Sequence, residues 1–219
     1  MNHLALFDCD GTLVDSAANI CLAMEQCFEA AALPLPSRHA TRRVVGLSLV
    51  EAVAALHPEG EADLHIAMAE DYKRAFQLLR GQGLVVEPLF DGIADTIGAL
   101  DKAGWLLGVA TGKSDRGLAF CLDHHGLAPH FVTLQTADRH PSKPHPSMIE
   151  AAMAEAGASP ATTVMIGDTS FDIGMAKAAG VLAIGVAWGY HDRDELLAEG
   201  ADLVAEHPAE LVGMLEALR

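Results

Sequence analysis

Two aspartates stand one residue apart near the amino terminus, in FDCDGTLVDS at 7–16. On an extended chain residues two apart share a side, so Asp8 and Asp10 face one way and Cys9 the other. Carboxylates this close are costly to ionise together unless a cation lies beside them. Three further clusters carry matching chemistry: TGK at 111–113, SKPHP at 142–146 and GDTSFD at 167–172. Asp168 in the last of them adds a third carboxylate. Three acidic groups, with backbone carbonyls and water, suit a hard cation. Mg²⁺ is the natural choice, because it binds one or two carboxylates together with a substrate phosphate. The eleven histidines show no ligand spacing near these aspartates, which argues against zinc. Thr111 offers a hydroxyl, Gly112 a backbone N–H ahead of a helix N-terminus, and Lys143 a fixed positive charge. Hydroxyl, amide, ammonium and metal together make a cradle for a phosphoryl group. Asp8 is then the candidate nucleophile, since carboxylates form aspartyl-phosphates. Asp10 is the candidate acid/base, protonating the leaving alcohol and later activating water.

The clusters meet only if the chain brings them to one edge. LALF at 4–7 reads as a buried strand that stops at the first aspartate. From Ser16, a candidate N-cap, to about 33, apolar residues recur at helical spacing. Helical stretches follow at about 37–44, 48–57 and 61–80 with no strand between them, and GQG at 81–83 marks a turn or hinge. Helices at 91–103, 114–125, 146–156, 171–179 and 208–218 then alternate with strands at 105–110, 131–134, 162–167, 181–186 and ADLV. That alternation predicts an α/β fold with a doubly wound parallel sheet. Residues 1–15 and 84–219 form the predicted catalytic core, and 16–83 a helical cap inserted after the first strand. Open α/β sheets bind ligands at the carboxyl ends of their strands, so the cap is expected to cover the site as a lid.

Composition narrows the partners. Thirty acidic residues against fourteen basic give a formal charge of −16. Such a surface repels nucleic acid and anionic lipid, so neither is an expected partner. The four cysteines show no paired spacing and read as reduced and buried, as in a cytoplasmic protein. No apolar run reaches the roughly 20 residues a membrane span needs, and the first one meets Asp8 too soon for a signal peptide. The expected partner is a small phosphorylated metabolite, and the expected assembly a monomer or homodimer.

Taken in order, DxDGTLVDS, TGK, KPxP and GDTxxD resemble the haloacid-dehalogenase superfamily of phosphatases over nearly the whole chain. Within it, VGLSL at 45–49 and GVAWGYH at 185–191 are similar to the phosphoglycolate-phosphatase subgroup. The resemblance implies a Rossmann-like core, Asp8 as nucleophile and Asp10 as acid/base. It implies Thr111 and Lys143 on the phosphate, and Mg²⁺ on Asp8, the Asp10 carbonyl and Asp168, with Asp172 supporting from behind. It points to 2-phosphoglycolate as first candidate substrate, with pyrophosphate or sugar phosphates, or a mutase, as alternatives. Thr169, where Ser is commoner, and Asp91, where Pro is frequent, depart from the pattern without touching this chemistry.

Plainer readings stand beside these. Asp168, Asp172 or Thr111 alone would pass for helix-capping residues; the convergence of four clusters is what speaks for chemistry. Arg42 and Arg43 on the cap are candidates for selecting a substrate carboxylate, against a plain solvated helix face. His124, His125, His140 and His191 read as surface or loop residues. A receiver-type signalling module also joins clustered aspartates, a threonine and a lysine on a doubly wound sheet. It needs only about 120 residues and no lid, and the acid/base Asp10 favours turnover over storage of the phosphoryl group.

Overall fold

The computed structural model describes residues 2–218, so residues 1 and 219, the outer ends of the predicted core, lie outside it. Every side chain of β1 (Leu4–Phe7) is buried. Burial on both faces is what a central strand of a parallel sheet demands, and it explains the continuous apolar run. Among the described residues, β1 joins β2 (Leu106–Thr111), β3 (Phe131–Thr136), β4 (Thr163–Gly167), β5 (Leu182–Val186) and β6 (Leu203–Ala205) in one sheet of order β3-β2-β1-β4-β5-β6. All neighbours are parallel, with Leu4–Phe7 paired to Leu106–Val109 on one side and Thr163–Ile166 on the other.

Alternation along the strands divides the core in two. Ala5, Phe7 and Cys9 pack with Val109 and Ile166 beneath α5 (Ile93–Lys102), α6 (Asp115–His124) and α10 (Glu210–Glu216). Leu4 and Leu6 pack with Ala110 and Met165 beneath α7 (Ser147–Ala156), α8 (Ser170–Ala179) and α9 (Arg193–Glu199). This is the doubly wound α/β architecture that the alternating pattern predicts. Between β1 and α5 lie α1 (Ala17–Ala30), α2 (Arg38–Arg43), α3 (Leu49–Leu56) and α4 (Ala62–Gly81), gathered on a separate core of Met24, Phe28, Val53, Met68 and Tyr72. The strands of chain entering and leaving these helices run side by side: Asp15 N–H donates to the Pro88 carbonyl at 2.9 Å and Phe90 N–H to that of Leu13 at 3.1 Å.

Some local expectations need correcting. Ser16 precedes α1, but its hydroxyl makes no capping bond; it donates to Asp10 instead. Thr111 closes β2, and the side chain that caps α6 is that of Ser114, accepting from Gly117 N–H. Helix α9 was not expected. It opens on a capping box between Asp192 and Glu195. His191 is 3% exposed, not a surface residue: its Nδ1 accepts from Ser170 N–H and its Nε2 donates to the Arg43 carbonyl. All four cysteines are free and buried. Among the described residues no helix is long and apolar enough to cross a membrane.

Candidate active site

The chain winds outward from β1 through β2 and β3, then returns to place β4 on the other flank of β1. The carboxyl ends of β1 and β4 therefore open the crevice where such sheets bind ligands. Asp8 follows β1 at once and Asp168 follows β4, both essentially without solvent exposure. Lys143, in the loop between β3 and α7, and Asp172, in the first turn of α8, are equally buried. The Lys143 ammonium lies 2.6 Å from Asp172 Oδ1 and 2.9 Å from Asp8 Oδ1. The first contact is a directed hydrogen bond. The second is close but poorly aligned, so both Asp8 oxygens are buried with no hydrogen bond.

The other two carboxylates are fixed from behind. Asp168 Oδ1 accepts from the Thr12 hydroxyl and Oδ2 from Tyr190 N–H, each at 2.9 Å. Asp172 Oδ2 accepts from Thr169 N–H at 3.0 Å and from its hydroxyl at 2.7 Å, closing the capping box of α8. One carboxylate oxygen from each of Asp8, Asp168 and Asp172 lies within 4.8 Å of the others. Asp172 thus stands beside Asp8 and Asp168, with Oδ1 held by Lys143 and Oδ2 by Thr169. The Asp10 carboxylate is not part of that cluster. Gly11, next in the chain, has φ +90°, and a Cβ built there would fall 2.2 Å from Asp168 Oδ2. A side chain there would be both strained and in collision.

Burial pushes the Asp8 carboxyl up to about 7; Lys143 opposes this, and Asp172 and Asp10 add to it. Burial, then Asp172 and Asp8, raises Asp168 well above the usual carboxylate range. Burial alone would lower Lys143, but Asp172 and Asp8 outweigh it and hold the ammonium firmly charged. One ammonium thus faces three buried carboxylates, a deficit of positive charge that a divalent cation would make good.

Asp10 is held by other partners. Its Oδ1 accepts from the Ser16 hydroxyl and from Lys113 Nζ, each at 2.5 Å. Lys113 also donates to Glu87 Oε1 at 2.9 Å. Ser16 and Glu87 lie on the two chain segments that lead into and out of the helical insertion; the first bonds Asp10 directly and the second reaches it only through Lys113. Neither Lys113 nor Glu87 was singled out in the sequence. The signal for Lys113 was present, since it follows Thr111 and Gly112 at the end of β2. Glu87 had none beyond its place after the helices.

Above Asp8 and Asp10 lies a cavity of about 280 Å³. Thr111 and Gly112 line it on the sheet side, and Met24, Val45, Tyr72 and Phe76 on the helical side. Gly112 meets the insertion at backbone distance: a Cβ there would fall 2.6 Å from the Leu47 carbonyl oxygen and 2.8 Å from that of Gly46. Gly112→Ala is therefore expected to wedge the insertion away from the sheet. Overpacking of this kind is worth about 1–3 kcal/mol, so kcat/KM should fall roughly 10- to 100-fold through KM. An unchanged KM in steady-state assays would show that this approach is not needed for binding.

Arg42 and Arg43 do not line the cavity. Arg43 forms a two-pronged pair with Glu195 of α9, Nη1 to Oε2 at 2.6 Å and Nη2 to Oε1 at 2.9 Å. Arg42 Nε reaches back to the Arg38 carbonyl at 3.4 Å. Both side chains that the sequence offered as substrate-selecting thus lie outside the lining of the cavity above Asp8 and Asp10. The unforeseen α9 supplies the acid that engages one of them.

Comparison with known proteins gives the family and the fold. A family model for haloacid dehalogenase-like hydrolases matches residues 5–186. Probable phosphatase IndB of Dickeya dadantii is 38% identical, over 100% of this chain and 95% of that protein. A phosphoglycolate phosphatase of Vibrio vulnificus is 29% identical over 97% of this chain and 95% of its own length. The crystal structure of a hydrolase from Pseudomonas syringae superposes with a TM-score of 0.86 at 25% identity, covering 99% of each chain.

Proposed function

We propose that this chain, which belongs to the haloacid dehalogenase-like hydrolases and is a phosphatase, is Mg²⁺-dependent and removes the phosphoryl group of a small metabolite through an aspartyl-phosphate on Asp8. The observation that carries the reading is the buried trio of Asp8, Asp168 and Asp172, with both Asp8 oxygens lacking a hydrogen bond. An all-oxygen set of this kind fits a hard divalent cation. When bound, Mg²⁺ would neutralise the clustered charge and polarise a phosphoryl oxygen.

The remaining chemistry belongs to the chain's own residues. An Asp8 oxygen attacks phosphorus, and the bond to the leaving alcohol breaks as Asp10 gives that oxygen a proton. A water molecule, deprotonated by Asp10, then attacks phosphorus and releases inorganic phosphate, restoring both carboxyl groups. Lys113 and Ser16 occupy Oδ1 of Asp10, leaving Oδ2 uncommitted for these transfers. Lys143, Thr111 and Gly112 are assigned to the phosphoryl oxygens. Residues 16–83 act as a cap, hinged where Asp15 and Pro88 meet, that excludes water when closed. The substrate offered first is 2-phosphoglycolate, by similarity to relatives that bear that activity's name. Four free thiols suit a reducing cytoplasm.

Release of inorganic phosphate from 2-phosphoglycolate and from a panel of phosphorylated metabolites tests this reading. Removing divalent ions with EDTA is expected to lower the rate at least about 100-fold, and adding Mg²⁺ to restore it, given the several kcal/mol a metal contributes to such steps. Full activity in the chelated enzyme would exclude the metal.

A further inference from the structure

We infer that the cavity holds a second anion receptor, built by Arg80 of α4 and Arg116 of α6, which reads an anionic oxygen group on the leaving alcohol. The inference rests on the cavity being the phosphatase site. Of the fourteen basic residues in this acidic chain, Lys73, Arg80, Lys113 and Arg116 all line that one cavity. Lys113 is committed to Asp10 and Glu87, and Lys73 to Glu70.

The two arginines are not committed in this way. The Arg80 guanidinium carbon stands 4.3 Å from the centre of the Phe120 ring and 5.3 Å from that of Phe76. Stacking fixes the plane of the fork while leaving its edge free to donate. The nearest carboxylate oxygen, Glu87 Oε2, is 3.9 Å from Nη2, too far for a hydrogen bond. Arg80 Nε is buried with no acceptor at all. A buried guanidinium N–H without a partner is costly, and a ligand oxygen would satisfy it.

Arg116 lies one helical turn before Phe120 on α6, so both occupy the same face, and Arg116 lines the same cavity as the stacked Arg80. It is exposed and lies in the first turn of its helix, where a cation opposes the dipole. The helix dipole therefore does not favour a cation at this position, which opens onto the cavity. One arginine comes from the insertion and the other from the sheet domain, so an anion bound between them would also hold the two parts together.

The test uses three matched substrates with Mg²⁺: ethyl phosphate, 2-phosphoglycolate, and the bisphosphate of ethane-1,2-diol. These differ in carrying no second anion, a carboxylate, or a second phosphoryl group. The wild-type enzyme is expected to prefer one of the two anionic substrates over ethyl phosphate by about 10- to 100-fold in kcat/KM, the range of a charge-assisted hydrogen-bonded pair. Which one it prefers identifies the group. In Arg80→Gln that ratio should fall to within about 3-fold of unity, and Arg116→Gln should lower it partly. Arg80→Lys, which keeps charge and stem, should retain some preference and guards against a variant that fails to fold. Equal use of all three by the wild type, or a preference that survives both Gln variants, would overturn the receptor while leaving the phosphatase reading intact. No turnover of these three alongside turnover of another phosphorylated metabolite would likewise overturn the receptor alone, whereas no turnover of any phosphoester with Mg²⁺ would sink both.

Discussion

Asp8→Asn is expected to lower kcat by about 10⁴-fold or more, the scale seen when a covalent nucleophile is removed, while leaving the metal-free protein at least as stable as the parent. The two effects share one cause. Asp8 is buried, accepts no hydrogen bond, and has its carboxyl pushed up to about 7 by burial. Its charge is therefore a liability to the fold in the absence of a cation, and an amide removes it at nearly constant volume. Lys143 keeps Asp172 as a partner, so no ammonium is stranded. Thermal unfolding with and without Mg²⁺ separates the terms. Saturating the parent at about 100 times Kd should stabilise it by roughly 2.7 kcal/mol, or about 5–10 °C in Tm for a chain of this size. In Asp8→Asn most of that increment should vanish. A variant that keeps more than a tenth of parental turnover would rule out the covalent route, and one that keeps the full Mg²⁺ shift would remove Asp8 from the metal set.

Much of this arrangement was legible in the residues. The apolar run 4–7 ending at Asp8, and the strand at 163–167 ending before Asp168, are properties of local sequence, and they place two carboxylates at adjacent strand ends. What the residues could not show was the partner of each polar group. Ser16 has the sequence of an N-cap, yet its backbone at φ −104° and ψ 1° is not extended as a cap requires, and its hydroxyl donates to Asp10 without accepting from the helix. Arg43 pairs with Glu195, which lies 152 positions away and on a seven-residue helix too short to register as periodic. The Asp192–Glu195 capping box was the one available sign of that helix. The bonds from Lys113 to Asp10 and Glu87 span 103 and 26 positions, and no spacing rule reaches that far. Strand ends follow from local pattern, whereas side-chain partners follow from the packing of the insertion on the sheet.

The converse test removes the cation instead of an anion. Lys143→Met keeps the length of the side chain and its burial but leaves Asp8, Asp168 and Asp172 facing one another with no counter-charge. Breaking a buried ion pair by deleting one partner typically costs about 3–5 kcal/mol, and urea unfolding of the metal-free variant should show a loss of that size. Catalysis should fall as well, by roughly 10²- to 10³-fold, as when a donor to a developing oxyanion is removed. Stability and activity should then part company in the double variant Lys143→Met/Asp172→Asn. Neutralising Asp172 relieves the repulsion, and its remaining bonds to Thr169 can be kept by the amide oxygen. Most of the lost stability should return, giving a coupling energy of about 2 kcal/mol or more between the two sites, while turnover stays low because the ammonium and one carboxylate of the acidic trio are both absent. Additive losses in the double variant would mean that Lys143 and Asp172 act independently, contrary to their 2.6 Å contact. Recovery of turnover along with stability would mean that Lys143 serves the fold and not the phosphoryl group.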